Sequence, residues 1–209
     1  MIGLVLKDIL VLRKTIRVYL AMLGFYLVLT VSGAFDSSML TGFVSLFTMM
    51  MPISSFAYDE LARWEKFAAA LPVGRQGIVG AKYLFAILLG GVAEVLAAAM
   101  GVILVVLRQA ELGEILVTGL ICVGIGLIMN SILLPLLFKL GAEKGRMYTM
   151  AIFAGLFLVG FLVAKLQKGS CVLPDVSYAV LAAAFAVLVG LALLISYRVS
   201  IKIFEKKDL

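Results

Sequence analysis

The sequence predicts an all-α fold: a polytopic transmembrane bundle of six helices, with a short interfacial helix ahead of the first span and an amphipathic cytoplasmic helix between spans two and three. Three observations predict it. Hydrophobic residues make up 64% and charged residues 14% of the 209 residues, with a mean hydropathy of +1.19, more apolar surface than one soluble core can use. The apolar runs are about 20 residues long, which matches a helix crossing roughly 30 Å of hydrocarbon and is about twice the length of a barrel strand. The basic residues are distributed unevenly between the two sides.

The spans read as 18–35, 39–57, 83–106, 115–138, 148–165 and 177–197 within a single membrane domain, 1–209. Met1 to Arg17 is too broken by charge for a secretory signal, so the first span is expected to be retained. With these spans, only Arg108, Lys165 and Lys168 of the 18 basic residues fall on one side. Lys and Arg accumulate in cytoplasmic loops, which places both termini inside a cell membrane. The net charge of +6 and pI near 9.4 follow largely from this asymmetry. Contact with anionic lipid accounts for them without nucleic acid.

Ahead of the first span, Leu4, Val5, Leu6, Ile9, Leu10, Val11 and Leu12 surround Lys7, Asp8, Arg13 and Lys14. This pattern fits a helix lying in the membrane interface, and equally an inward extension of the first span.

The second span leads into SSFAYDELARWEKFAAALPVGRQGIVGAKY, and here the sequence becomes specific. Leu61, Trp64, Ala68 and Leu71 recur at helical spacing, with Phe67 beside them and Glu60, Arg63 and Lys66 projecting elsewhere. Asp59 suits a helix start, and Pro72 with Gly74 and Gly77 ends the helix before the third span. An interfacial anchor with Trp64 at headgroup depth and a protein-docking helix both satisfy the pattern.

Lys7 with Asp8 in LKDILVLRK, and Asp59, Trp64, Leu71, Pro72, Arg75, Lys82 and Tyr83 in the stretch above, resemble the small permeases of ABC type-2 exporters. The resemblance implies a permease subunit of an ATP-driven exporter that forms half of a translocation path. It would pair with a second permease subunit, identical or related, and with a cytoplasmic ATPase dimer. The loop 58–82 would hold the coupling helix, with Asp59, Glu60, Arg63, Trp64, Phe67, Leu71 and Arg75 as the residues facing the ATPase. The sequence holds no GxxxxGK[ST] phosphate loop, so ATP hydrolysis is expected in the partner. No cofactor, metal cluster or catalytic group is expected in this chain.

Glu94 lies deep in the third span among Gly90, Gly91, Ala97, Ala98, Ala99 and Gly101. It reads either as part of a substrate path or proton relay, or as an interhelical hydrogen-bond partner, with Asn130 as the candidate mate. Asn130, Ser131 and Pro135 mark a bend in the fourth span. Met49, Met50 and Met51 suit either helix packing or a compliant surface for apolar substrates. Cys122 and Cys171 fall at different depths, which disfavours a mutual disulfide.

Two other classes compete. An intramembrane hydrolase is disfavoured because the chain has no histidine and no paired membrane aspartates, Asp36 and Asp175 both lying in outer loops. A non-ABC membrane protein, either a secondary transporter using Glu94 or a scaffold or immunity subunit, is the alternative that composition alone leaves open.

Overall fold

The computed structural model describes residues 2–35, 37–69, 74–107, 112–166 and 178–206. These form seven helices: α1 (Ile2–Val11), α2 (Arg13–Val31), α3 (Ser37–Leu61), α4 (Trp64–Ala69), α5 (Gly74–Val106), α6 (Leu112–Leu166) and α7 (Tyr178–Glu205). The helical membrane bundle expected from hydropathy is therefore present. Arg13–Val31, Gly74–Val106, Val117–Gly145 and Ala184–Glu205 are long and apolar enough to cross a membrane.

The helices α3, α5 and α6 pack on one another at the centre, α7 lies against α6 and α5, and α2 is peripheral, touching mainly α3. One core cluster joins Phe56, Tyr83, Leu134, Phe138 and Phe204 from all four inner helices. A second joins Val5 and Leu12 to Phe47, Met51, Phe85 and Leu89, so α1 has a protein-facing side. Its other side presents Ile2, Leu6 and Leu10, spaced four apart and exposed. Leu12 joins α1 to α2 with the helical ladder kept, since Leu12 N bonds Asp8 O and Ile16 N bonds Leu12 O. The two readings of this segment thus meet: a distinct first helix, continued almost directly by the span.

Three predicted loop boundaries are corrected. The third span, α5, begins at Gly74 rather than near 83, which makes it 33 residues long, about 50 Å. The predicted loop 139–147 is helical except at Gly141 (φ 81°, ψ 177°), which breaks α6 into arms 112–140 and 142–166. The helix expected to start at Asp59 instead begins at Trp64, because α3 runs through Asp59 and Glu60 to Leu61 and turns at Ala62 and Arg63. Charged residues stop a membrane span, but they need not stop a helix.

Among the described residues two prolines lie within helices, and both liberated carbonyls are used. Pro52 has no N–H for Thr48 O, and Asn130 Nδ2 donates to that oxygen across the α3–α6 contact at 3.1 Å. Pro135 likewise frees Ser131 O, which accepts from Ser196 Oγ of α7. The proline bends are thereby pinned by donors from neighbouring helices. Asn130→Ala is expected to cost about 1–2 kcal/mol in a detergent unfolding titration. Most of that loss should vanish in a Pro52→Ala background, where the backbone N–H returns to Thr48 O; equal losses in both backgrounds would refute the assignment.

Met49 and Met51 are buried and Met50 faces outward, so the methionines serve mainly in packing. The Phe185 ring of α7 lies where a side chain at Gly124 would stand, so this glycine allows the close approach of α6 and α7.

Candidate functional site

Four charged side chains from α1, α3 and α5 converge at one end of the bundle. Ser55 and Asp59 share a face of α3 because they are four residues apart. Lys82 comes from the third turn of α5, and Lys7 and Asp8 come from α1. Lys82 Nζ lies 2.6 Å from Asp59 Oδ2 and 3.0 Å from Asp8 Oδ2, and donates to Ser55 Oγ at 2.5 Å. Lys7 Nζ lies 2.5 Å from Asp59 Oδ1 and 2.9 Å from Asp8 Oδ1.

The result is a neutral quartet in which each lysine bridges both aspartates. Asp8, Asp59 and Lys82 are buried, and Lys7 is nearly so. Three acceptors match the three ammonium N–H donors of Lys82. Lys7 has two carboxylates and the Trp64 ring, whose centroid lies 4.4 Å from Nζ. Lys82 lies 5.0 Å from the Phe56 ring centroid. A bare charge at this depth would be costly, and the alternating signs remove that cost.

The residues expected to face an ATPase divide between inner and outer surfaces. Asp59 belongs to the quartet. Trp64 is half-buried, packed against the core, with its ring tilted 43° to that of Phe67 at 5.2 Å. Glu60 Oε2 accepts from Ala142 N at 2.8 Å, capping the second arm of α6 just after the Gly141 break. Arg75 donates to the carbonyls of Phe204 and Glu205, satisfying the open end of α7. Arg63 is exposed at the turn with φ 49°, and Phe67 is 60% exposed. Leu71 lies outside the described residues.

The predicted stripe Leu61, Trp64, Ala68 is not one face. The break at Ala62 and Arg63 leaves Leu61 82% exposed while Ala68 is buried. Leu61, Arg63 and Phe67 are thus the outward groups around a turn whose inner side is tied to the quartet.

Lys7, Asp8, Ser55 and Lys82 are members of the site to which the sequence assigns no role. Their signals were a lysine embedded in GIVGAKYLF, an Asp beside Lys7, and a serine four residues before Asp59.

Glu94 and Asn130 do not pair, which corrects the suggested hydrogen bond. Asn130 is fully buried and donates to Thr48 O. Glu94 instead lies over Gly119, where a Cβ would stand 3.0 Å from Oε1 and 3.1 Å from Oε2. Gly119 is eleven residues before Asn130, about 16 Å along the helix. Glu94 Oε2 is buried with no hydrogen-bond partner. An ionised side chain at the bilayer centre costs roughly 2.5–3.5 kcal/mol, so an ionised Glu94 inside this apolar helix would be costly.

A cleft of about 450 Å³ opens between Ala57, Glu60, Leu61, Ala142 and Glu143. Cys122 is free and half-buried; Cys171 lies outside the described residues. Among the described residues no group of three or more His, Cys, Asp or Glu side chains is placed to hold a metal ion.

The family described as "ABC-2 family transporter protein" matches residues 3–205, nearly the whole chain. No curated protein and no solved structure matches it significantly.

Proposed function

Because the chain belongs to the ABC-2 family of transporter proteins, we propose that it is the permease subunit of an ATP-driven exporter, coupled to a separate ATPase dimer through the loop 58–82, at the turn around Ala62 and Arg63. The observation that carries this reading is the two-sidedness of that turn. Leu61, Arg63 and Phe67 point outward, while Asp59 and Trp64 on the same segment bind Lys7 of α1 and, through Asp59, Lys82 of α5.

A push on the outer groups is therefore delivered to α1, α3 and α5 together. Exposed aromatic and aliphatic side chains are the usual anchors of such contacts, and Arg63 adds a charge for orientation. The second permease subunit completes the path, since one small bundle with short outer connections cannot enclose a wide channel. The end of the bundle that holds α1, the turn and the last turn of α7 also exposes Arg13, Lys14, Arg63, Lys139, Lys144 and Lys202, which favours a cytoplasmic placement of both termini.

The test uses the complex reconstituted with its ATPase in vesicles. Leu61→Ala with Phe67→Ala is expected to lower transport per ATP hydrolysed by about tenfold, the effect of losing one strong anchor, while the unfolding midpoint of the permease stays put because both side chains are exposed. Undiminished coupling would remove the docking role. Purification from native membranes without any ATPase would remove the permease reading itself.

A further inference from the structure

We propose that Glu94 is the seat for the cationic group of a lipophilic cargo, taken up where α5 and α6 meet. The inference rests on the permease reading above and names the chemical class of what the permease moves.

Glu94 stands twenty residues into α5 and twelve from its end, well inside the apolar run. Its carboxylate turns both oxygens toward Gly119 of α6, where a Cβ would stand 3.0 and 3.1 Å from them and push the group aside. Oε2 has no hydrogen-bond partner. The residue suggested as its mate, Asn130, is engaged with Thr48 O. The nearest lysine on its own helix, Lys82, is about 18 Å away along the axis and is held by two aspartates and a serine.

Ala93 and Ala97 beside it on α5 and Gly119 beneath it are buried, and Cys122, one turn past Gly119 on α6, lies close enough to interact electrostatically with it. The exposed positions nearest in sequence are apolar: Gly91 is exposed, and Val95 and Leu120 are 69% and 58% exposed. An unpaired acidic group inside the hydrocarbon region is expensive. A cation carried on an apolar body compensates the charge and covers Val95 and Leu120 in the same step. A neutral or anionic amphiphile satisfies only the second demand, so the geometry selects by charge. A proton on Glu94 would fill the seat between cargoes.

The experiment uses the full chain in phosphatidylcholine nanodiscs, with tetraphenylphosphonium as the cationic probe and triphenylphosphine oxide as its neutral counterpart. Wild type is expected to bind the cation about tenfold more tightly than Glu94→Gln, the effect of one lost charge contact, with Glu94→Asp between them and the neutral compound unaffected. Equal cation binding by wild type and Glu94→Gln overturns the proposal. Should Glu94→Gln fail to fold, modification of wild-type Glu94 by dicyclohexylcarbodiimide, mapped by mass spectrometry, supplies the same answer. The cation should slow it and the neutral compound should not; equal protection overturns the seat.

Binding is read without ATP, so it is independent of coupling. In the ATPase complex, export of the cation should fall with Glu94→Gln. Export unchanged by that substitution overturns the cargo role even where binding depends on Glu94. If no ATPase accompanies the chain, the permease reading fails and the cargo role fails with it, while Glu94-dependent binding identifies a cation site of another kind.

Discussion

Lys82→Met is expected to destabilise the bundle by about 3–5 kcal/mol, the usual result of removing one partner from a buried ion pair. Lys82 bridges Asp8 and Asp59 and also donates to Ser55. Without it, two carboxylates are left sharing the single ammonium of Lys7, which is itself more exposed. The substitution keeps the apolar stem, so the loss reflects charge and not packing. Unfolding in mixed micelles, followed by loss of helical circular dichroism, measures it. Replacing the whole set by apolar residues, Lys7→Met, Asp8→Leu, Asp59→Leu and Lys82→Met, should restore most of the stability, because no charge then remains to be compensated. A Lys82→Met loss below about 1 kcal/mol, the scale of a surface pair, would show the quartet to be wet and energetically slight.

Gly141→Ala is expected to cost about 3 kcal/mol, through two effects that add. At φ 81° and ψ 177° the residue occupies a backbone region essentially restricted to glycine, and forcing a side chain there costs on the order of 1–3 kcal/mol. A Cβ would also stand 2.8 Å from Glu60 Oε1, displacing the carboxylate that caps Ala142 N. Loss of such a cap is worth about 1 kcal/mol. The two parts separate experimentally. Glu60→Ala alone should lose only the cap, and Gly141→Ala in that background should lose only the backbone term. A Gly141→Ala variant as stable as wild type would mean that the α6 break is not held as described.

Much of the architecture was legible because hydropathy is additive along the chain. Hydropathy predicts the second span at 39–57, and α3 runs Ser37–Leu61; it predicts the third span to end at 106, and α5 does. The errors share one cause. Arg75, Gln76 and Lys82, and Lys139 to Arg146, resist the bilayer and so predict loop, yet they are helical apart from the break at Gly141. Hydropathy reports the solvent a residue prefers, whereas the backbone follows its own hydrogen bonds, and a helix continues into water or into a charged cluster at little cost. Asp59 was placed at a helix start on the strength of the helix dipole. Lys7 and Lys82 hold it at a helix end instead, because two ammonium groups outweigh half a dipole charge.

The candidate site was legible only in part. Lys7, Asp8, Asp59, Trp64 and Lys82 were each conspicuous, yet nothing local says that they meet, since Lys7 and Asp59 are 52 residues apart and Asp8 and Lys82 are 74 apart. The proposed partnership of Glu94 with Asn130 had the same weakness. Both are polar residues in apolar spans, but helix register sets them at different depths.

The sequence by itself determined the membrane class and the positions of most helices, because each residue's transfer free energy acts on its own segment and sums along it. Only the tertiary structure decided which charges neutralise one another, which donors take the carbonyls freed by Pro52 and Pro135, and that Glu94 Oε2 is left without a hydrogen-bond partner. Electrostatic and hydrogen-bond energies depend on distances between residues far apart in the chain, and those distances exist only once the helices have packed.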